Sequence, residues 1–109
     1  MSAAVRPEVD EPSPEYAERV RELVRSIPTG KVVTYGDVAE LLEDGDARQV
    51  GVVMARSGPG VPWWRVVNAS GKLPPRLRVE AARRYAAEGT AYDISRERVN
   101  LNEARWDGR

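Results

Sequence analysis

The chain contains no cysteine and no histidine among its 109 residues. Without cysteine, neither a disulfide nor a cysteine-ligated zinc ion can hold the fold together, so a single hydrophobic core has to do so. The length suits one domain. The same absences exclude a thiolate nucleophile and an imidazole base, which removes most hydrolase and transferase sites. Only carboxylates, lysine, tyrosine, serine and threonine remain for any catalysis.

The hydropathy of the chain predicts a cytoplasmic protein. No apolar run approaches the ~20 residues that a membrane span requires, and residues 1–14 lack the hydrophobic core of a signal peptide. Those residues contain three prolines and an excess of acids. We therefore expect a flexible tail over residues 1–14 and a single domain over residues 15–109.

The net charge is zero, but the charges are unevenly distributed along the chain. Residues 1–18 and 37–46 are acidic, whereas residues 48–84 carry eight basic side chains against Glu80 alone. Such a basic stretch predicts one face that meets an anion. The alternative is a solvated surface whose arginines are balanced by acids that lie nearby in the fold.

The N-terminal half has the pattern of three helices. Apolar residues recur on one face over residues 15–26, with Ser13 as the expected N-cap. Thr34 is the expected N-cap of a second helix over residues 35–42. A third helix is predicted over residues 47–56. Two short helices joined by a short glycine-containing turn predict a helix-turn-helix.

The C-terminal half mixes extended and helical patterns. Residues 61–68 are predicted to form a strand, and residues 72–73 to pair back on it after a turn. A helix is predicted over residues 77–87, with Gly89 as its C-cap. A last strand is predicted over residues 98–101.

Residues 62–67 (PWWRVV) place two tryptophans side by side before an arginine. This segment resembles the Pro-Cys-His-Arg-Val active-site strand of the O6-alkylguanine-DNA alkyltransferases, with Trp63 at the cysteine position and Trp64 at the histidine position. Within that superfamily, tryptophan in place of the cysteine marks the alkyltransferase-like proteins. Further segments match the family in order, namely residues 27–36 (IPTGKVVTYG), residues 47–54 (ARQVGVVM), Glu88-Gly89, and residues 99–102 (VNLN) followed by Trp106.

The resemblance extends over about residues 15–106. It implies an α/β fold like the C-terminal domain of the alkyltransferases, mostly helical, with a helix-turn-helix and a short β-sheet. Residues 15–109 would then form an alkyltransferase-like DNA-binding domain.

The resemblance also implies DNA-binding roles for single residues. Tyr35 matches the tyrosine that pushes on a phosphate 3′ to the lesion and helps to rotate the nucleotide outward. Arg48 matches the arginine finger that enters through the minor groove and fills the gap left in the base stack. Ala47 and Gly51 match small residues that let the recognition helix approach the groove closely. Thr34, next to Tyr35, completes this predicted set.

A second predicted set of residues surrounds the alkylated base. Trp63 stands where the alkyl-accepting cysteine would be, against the flipped base, and Val66 of the same segment is included in the pocket. Arg76 matches an arginine of the alkyltransferase-like proteins that lies over the alkylated base. An indole offers a large flat apolar surface to a purine and an alkyl group. An arginine over an aromatic face adds roughly 0.5–2 kcal/mol.

Two features of the chain depart from the family pattern. The typical alkyltransferase-like motif is Pro-Trp-His-Arg, whereas Trp64 occupies the histidine position here and either points into the core or alters the pocket. Residues 57–60 lack the asparagine that forms a hinge in active alkyltransferases. Glu88 belongs to a proton relay in those enzymes. Since the chain has no cysteine or histidine for Glu88 to serve, we expect it to form a structural hydrogen bond.

The function implied by the resemblance is a non-enzymatic DNA-damage sensor. It would bind O6-alkylguanine in duplex DNA, flip it into the pocket beside Trp63 and flag it for nucleotide excision repair. Its partners would be the damaged duplex and the damage-recognition proteins of that pathway. No cofactor, metal ion or membrane is implied, and we expect a monomer that is associated with the nucleoid when it is bound to DNA.

Two other functions remain open from the residues. The first is a sequence-specific helix-turn-helix transcription regulator, which would read base edges in the major groove and usually dimerise. The small apolar residues of the third helix disfavour it. The second is a residual enzyme that uses Tyr35 or Glu88, which the lack of a nucleophile–base pair disfavours.

Overall fold

The computed structural model describes residues 11–109 and consists mainly of helices with two short sheets. Its elements in chain order are α1 (Pro14–Arg25), β1 (Val33–Thr34), α2 (Tyr35–Leu42), α3 (Ala47–Ser57), β2 (Val66–Val67), α4 (Arg78–Glu88), β3 (Tyr92–Asp93), β4 (Arg98–Val99) and α5 (Leu101–Ala104). None of the helices in this part of the chain is long and apolar enough to cross a membrane. The expected tail falls mostly on residues 1–10, which lie outside the described residues.

Helix α1 begins at a side-chain cap and is held by its apolar face. The hydroxyl of Ser13 accepts a hydrogen bond from the backbone N–H of Tyr16 at 3.0 Å, as the sequence predicts, and Pro14 opens the helix. Proline suits this position because the N–H that it lacks would have no partner inside the helix. Val20 and Val24 are fully buried. The helix thus begins at Pro14, which is the first helical position that an N-cap at Ser13 implies.

Helices α2 and α3 form the predicted helix-turn-helix and both pack against α1. Thr34 caps α2 through a reciprocal pair of hydrogen bonds with Asp37, each 3.0 Å long, which is a capping box. Glu43 ends α2 in the left-handed region with φ 56°. The carboxylate of Asp46 then accepts a hydrogen bond from the backbone N–H of Gln49 at 2.9 Å and caps α3. The acidic segment over residues 43–46 therefore ends α2, forms the turn and caps the start of α3.

The prediction of a strand over residues 61–68 is wrong for its first part. The backbone N–H of Trp63 donates to the carbonyl of Val61 at 2.7 Å, and that of Arg65 donates to the carbonyl of Pro62 at 3.0 Å. The second bond, together with that from the N–H of Val66 to the carbonyl of Trp63, forms one turn of 3-10 helix over Trp63–Arg65, called the tryptophan turn below. These local bonds replace those that a ladder would need. The two tryptophans therefore do not alternate between the faces of a sheet.

Extended structure begins only at β2, which pairs in parallel with β1. Val33 lies opposite Val66, and Thr34 lies opposite Val67. All four residues are buried. Since β1 runs directly into α2 and β2 follows directly after the tryptophan turn, the pairing places the tryptophans near the start of the helix-turn-helix.

The C-terminal third keeps the predicted order of elements with different bounds. The chain returns on itself after Asn68, whose N–H donates to the carbonyl of Lys72 at 2.9 Å, but no strand forms there. A 3-10 turn over Pro75–Leu77 precedes α4, and Gly89, with φ 73°, provides the predicted C-cap. Strand β4 is confirmed but shorter. Its antiparallel partner β3 and helix α5, which Asn100 caps, were not predicted.

Two clusters of buried side chains form the core. The first combines the inner faces of α1, α2 and α3 with β1 and part of β2, and the second lies between β2, α4, β4 and α5. Trp63 packs against both clusters, whereas Trp64 packs against the second. The tryptophan turn therefore lies where the two parts of the core meet.

The carboxylate of Glu88 joins three separate parts of the chain. It accepts hydrogen bonds from the indole N–H of Trp64 at 2.9 Å, from the guanidinium of Arg65 at 2.6 and 3.1 Å, and from the backbone N–H of Gly30 at 3.2 Å. Arg65 also donates to the carbonyl of Ile27 at 2.9 Å. The expectation that Glu88 has a structural role is confirmed.

These donors determine the charge state of Glu88. Burial by itself raises the pKa of this carboxyl, but the hydrogen bonds from Arg65, Gly30 and Trp64, together with the charge of Arg65, outweigh it and lower the pKa below its ordinary value. A carboxyl group whose pKa is lowered by folding makes its full contribution to stability at pH values above its unfolded-state pKa, which is about 4.3 for glutamate. That stabilisation is lost as the pH falls through the folded-state pKa.

We expect Glu88→Gln to lower the free energy of unfolding at pH 7 by about 3 kcal/mol. The change leaves the charge of Arg65, whose side chain is only 14% exposed, without its partner. Urea unfolding at pH 7 and near pH 3 measures the effect, which should shrink at the lower pH because wild-type Glu88 is then increasingly protonated. The control is Glu18→Gln, which breaks more exposed pairs with Arg21 and Arg25 and should cost no more than about 1 kcal/mol. A loss that is the same at both pH values would contradict the assignment.

Candidate nucleic-acid interface

A cavity of about 130 Å³ lies between α3 and the segments that surround the tryptophan turn and precede α4. Its lining is mostly apolar, with one guanidinium and one phenol as polar groups, which suits a flat ligand with a polar edge. Four of the lining residues are ones that the sequence singles out, namely Tyr35, Gly51, Trp63 and Arg76. The other five are Met54, Ala55, Leu73, Pro74 and Leu77.

Trp63 contributes the aromatic wall of the cavity. The 3-10 turn holds its backbone, and its half-buried indole packs against both core clusters. One part of the side chain is thus fixed by packing while another part faces the cavity. This arrangement keeps a large flat surface in place without any ligand.

Tyr35 and Arg76 supply the polar groups of the cavity. Burial raises the pKa of the Tyr35 hydroxyl, and the charge of Arg76 lowers it in part, with a net rise. Tyr35 therefore keeps its proton at neutral pH and can donate a hydrogen bond. Arg76 is exposed, and no carboxylate among residues 11–109 forms an ion pair with it. Its charge is therefore available to an anion or to an aromatic ring in the cavity.

Gly51 leaves the α3 wall of the cavity open. A Cβ atom built at this position meets nothing within 4 Å, and the backbone there is ordinary helix, so the fold itself does not require glycine. Met54 and Ala55 follow three and four residues later and so share its face of the helix. That spacing is the signal by which the sequence could have indicated both as cavity residues.

Helix α3 presents its N-terminal turn to solvent. Ala47 and Arg48 are its first two residues, and both are exposed. Arg48 precedes Gly51 by three residues and therefore lies on the same face, one turn closer to the N-terminus. The carboxylate of Asp46 already accepts a hydrogen bond from the backbone N–H of Gln49 at this helix end. The N-terminus of α3 is therefore not by itself an open anion site.

Four residues of the predicted sets do not line the cavity, namely Thr34, Ala47, Arg48 and Val66. Val66 is fully buried in the first core cluster and is not among the residues that line the cavity. The reason is that the chain enters β2 at Val66, so its side chain packs inward beside β1. Thr34 is only 5% exposed and its hydroxyl is used as the cap of α2. Thr34 and Ala47 border a wide depression beside the acidic α2–α3 turn instead.

Most arginines of the basic stretch are paired with acids. The ion pairs join Arg56 to Glu11, Arg65 to Glu88, Arg78 to Glu97, and both Arg83 and Arg84 to Glu80. For the exposed members of this set the alternative of a balanced surface is correct, whereas Arg65 and Glu88 are largely buried. Arg76, beside the cavity, forms no ion pair with the described residues and supports the prediction of an anion-binding face there.

The cavity offers no base for a nucleophile. Among its described lining residues there is no carboxylate, so the hydroxyl of Tyr35 has no proton acceptor beside it. Glu88 does not line the cavity, and both of its oxygens are occupied by donors. Within residues 11–109, no acidic cluster is arranged to hold a metal ion.

Comparison with known proteins identifies relatives of this chain. Residues 15–90 match the family model of the 6-O-methylguanine DNA methyltransferase DNA-binding domain. A DNA base-flipping protein of Escherichia coli K12 is 39% identical over 99 residues, which cover 84% of this chain and 74% of that protein. Alkyltransferase-like protein 1 of Schizosaccharomyces pombe is 42% identical over 65 residues, 57% of this chain and 60% of that protein.

Solved structures agree with these relatives and confirm the predicted fold. Schizosaccharomyces pombe Atl1, in complex with damaged DNA containing O6-carboxymethylguanine, superposes with a TM-score of 0.74 at 35% identity, over 86% of this chain and 96% of that one. Mycobacterium tuberculosis O6-methylguanine methyltransferase gives a TM-score of 0.58 at 27% identity, over 76% of this chain and 55% of that one. This chain therefore belongs to the family of the 6-O-methylguanine DNA methyltransferase DNA-binding domain and is an alkyltransferase-like member of it.

Proposed function

We propose that this protein is a non-enzymatic DNA-damage sensor that binds O6-alkylguanine in duplex DNA and holds the flipped base in the cavity beside Trp63. The observation that carries the proposal is the convergence of Tyr35, Gly51, Trp63 and Arg76 on one cavity of about 130 Å³. The relatives support it, since one is named a DNA base-flipping protein and a structural neighbour is bound to damaged DNA.

Flipping is required because the O6 substituent of a stacked guanine lies at the major-groove edge of the base, whereas α3 approaches from the minor groove in the proposed complex. Extruding the nucleotide costs a few kcal/mol. In the proposed complex, α3 approaches the minor groove and the guanidinium of Arg48 enters the gap in the stack, which offsets part of that cost. Gly51, one turn further along the same face, leaves room for the DNA backbone. The protonated hydroxyl of Tyr35 donates to the neighbouring phosphate.

The flipped base is then held without any covalent change. The purine lies against the indole of Trp63, and Arg76 lies over it, a contact that adds about 0.5–2 kcal/mol. Trp63 occupies the position of the alkyl-accepting cysteine of the resembling family, and the chain contains neither cysteine nor histidine. The alkyl group therefore has no thiolate to move to.

The complex in this proposal serves as a mark for other proteins. A monomer in the cytoplasm, associated with the nucleoid while it is bound, would present the bent and extruded site to the damage-recognition proteins of nucleotide excision repair. No cofactor or metal ion takes part.

Transcription regulation is the competing function for a helix-turn-helix. A regulator reads base edges in the major groove with side chains that form hydrogen bonds. The face of α3 that borders the cavity presents Gly51, Met54 and Ala55, whose side chains offer no hydrogen-bond donor, and Arg48 adds a donor only one turn earlier. This composition favours close approach to a groove over reading of its sequence.

The first test compares a labelled duplex that contains one O6-methylguanine with the same duplex containing guanine. We expect a lesion preference, defined as the guanine dissociation constant divided by the lesion dissociation constant, of about tenfold or more. Fluorescence anisotropy at two salt concentrations separates this preference from phosphate contacts, which act on both duplexes. Mass spectrometry of the recovered DNA should show that the methyl group is retained. Equal affinities would leave only a DNA-binding domain and favour the regulator.

Trp63→Ala should reduce the lesion preference more than it reduces affinity for the guanine duplex, because it removes the wall against the alkylated base. The matched control is Trp106→Ala, since Trp106 also packs against the first core cluster but does not line the cavity. The same anisotropy titrations measure both variants. An equal loss on the two duplexes for Trp63→Ala would contradict the assignment of this wall.

Arg48→Ala should weaken binding of the lesion duplex by about tenfold or more, because nothing then replaces the lost base stacking. Arg96→Ala is the control, since Arg96 is 67% exposed in the turn between β3 and β4 and does not lie on α3. Anisotropy at matched ionic strength compares the two. If both variants lose the same factor, Arg48 contributes only charge.

Gly51→Ala should stabilise the protein and yet weaken DNA binding. Alanine is favoured over glycine inside a helix by about 1 kcal/mol, and the added Cβ meets no atom within 4 Å. The same methyl group would keep α3 away from a groove. Thermal unfolding and anisotropy together measure the two effects. A stabilised variant with unchanged affinity would place the DNA on another face.

A further inference from the structure

Trp64 does not line the cavity, but it is fixed in one orientation from several sides. Its indole N–H donates to Glu88 at 2.9 Å. The guanidinium of Arg84 lies over its ring, 4.4 Å from the centroid, and that of Arg65 lies 5.5 Å from the centroid. A hydrogen bond at the ring edge and a cation on the ring face together leave the side chain little rotational freedom.

Because the two indoles are in contact, the fixed orientation of Trp64 also restricts the orientation of Trp63. The centroids of the two rings are 5.5 Å apart and their planes are perpendicular, which is the favourable edge-to-face arrangement. Rotation of either indole away from this angle would break the contact. Because Trp63 forms a wall of the cavity, the orientation of that wall depends on a residue outside it.

We propose that Trp64 is a positioning residue that sets the angle of Trp63 and thereby sets the preference of the cavity for alkylated over unmodified guanine. This inference rests on the proposed function and adds to it a specificity determinant outside the cavity. The chain of contacts runs from Glu88 and Arg84 through Trp64 to Trp63, and then to the base.

Selectivity for one methyl group is sensitive to such positioning. An apolar pocket distinguishes ligands that differ by one methylene by about 10–200-fold, and it does so through contacts that weaken steeply when a gap opens. An indole that tilts still stacks on a purine, but it no longer meets the alkyl substituent closely. Loosening Trp64 should therefore reduce the lesion preference more than it reduces binding to guanine.

Helix α4 offers a matched pair of arginines for the test. Arg83 and Arg84 both bond to Glu80, at 3.3 and 3.1 Å, and both are substantially exposed. Only Arg84 lies over the ring of Trp64. Removing either one deletes one positive charge and one bond to Glu80, so the difference between the two variants reports the contact with Trp64.

The experiment measures the lesion preference of the wild type, Arg84→Ala, Arg83→Ala, Arg84→Lys and Trp64→Phe, with near-ultraviolet circular dichroism of the DNA-free proteins. We expect Arg84→Ala to lower the preference by about two- to fivefold, Arg84→Lys to restore part of it, and Arg83→Ala to leave it unchanged. Trp64→Phe, which removes the N–H donor to Glu88, should lower it further. The dichroism of the coupled indoles should change in Arg84→Ala and not in Arg83→Ala.

The outcomes separate this inference from the proposed function. A wild type that binds both duplexes equally overturns the sensor and the role of Trp64 with it. A wild-type preference that persists in Arg84→Ala and Trp64→Phe overturns only the role of Trp64. Thermal unfolding identifies a variant that fails to fold, and since Arg84 is exposed, its variants keep the test open if Trp64→Phe unfolds.

Discussion

The charge of Glu88 is the constraint on which the arrangement of the site depends. A carboxylate that is largely removed from water requires donors on both oxygens, and here those donors come from Trp64, Arg65 and Gly30. Satisfying them fixes the end of α4, the tryptophan turn and the loop before β1 relative to one another. The resemblance associates this glutamate with a proton relay. In this chain its side-chain partners are an indole and a guanidinium, which donate hydrogen bonds and accept none, so Glu88 serves as an anchor.

Features that depend on neighbouring residues could be predicted from the sequence. The caps formed by Ser13, Thr34 and Gly89 need only a side chain or a left-handed glycine within about one turn of the helix end. The helix-turn-helix follows from the same local signals. The resemblance then selected Tyr35 and Gly51, which the fold brings to one cavity with Trp63 and Arg76.

Features that depend on distant residues could not be predicted in this way. An apolar run with β-branched residues around Trp63 is compatible with a strand, and the acceptor of the Trp64 indole N–H in the folded protein is a glutamate 24 positions away. Val66 was assigned to the pocket by its proximity in sequence, but its pairing beside β1 turns it into the core. The cavity residues Leu73, Pro74 and Leu77 carried no signal because nothing local relates them to α3.

The indole wall has a consequence for how an encounter with DNA ends. A thiolate in that place would terminate binding by bond transfer and would be used up in doing so. Trp63 has no such reaction to offer, so in the proposed complex only dissociation or displacement by another protein can release the duplex. The time for which the complex persists then determines how long the site is marked for other proteins. Because the protein is not consumed, one molecule can inspect many sites in succession.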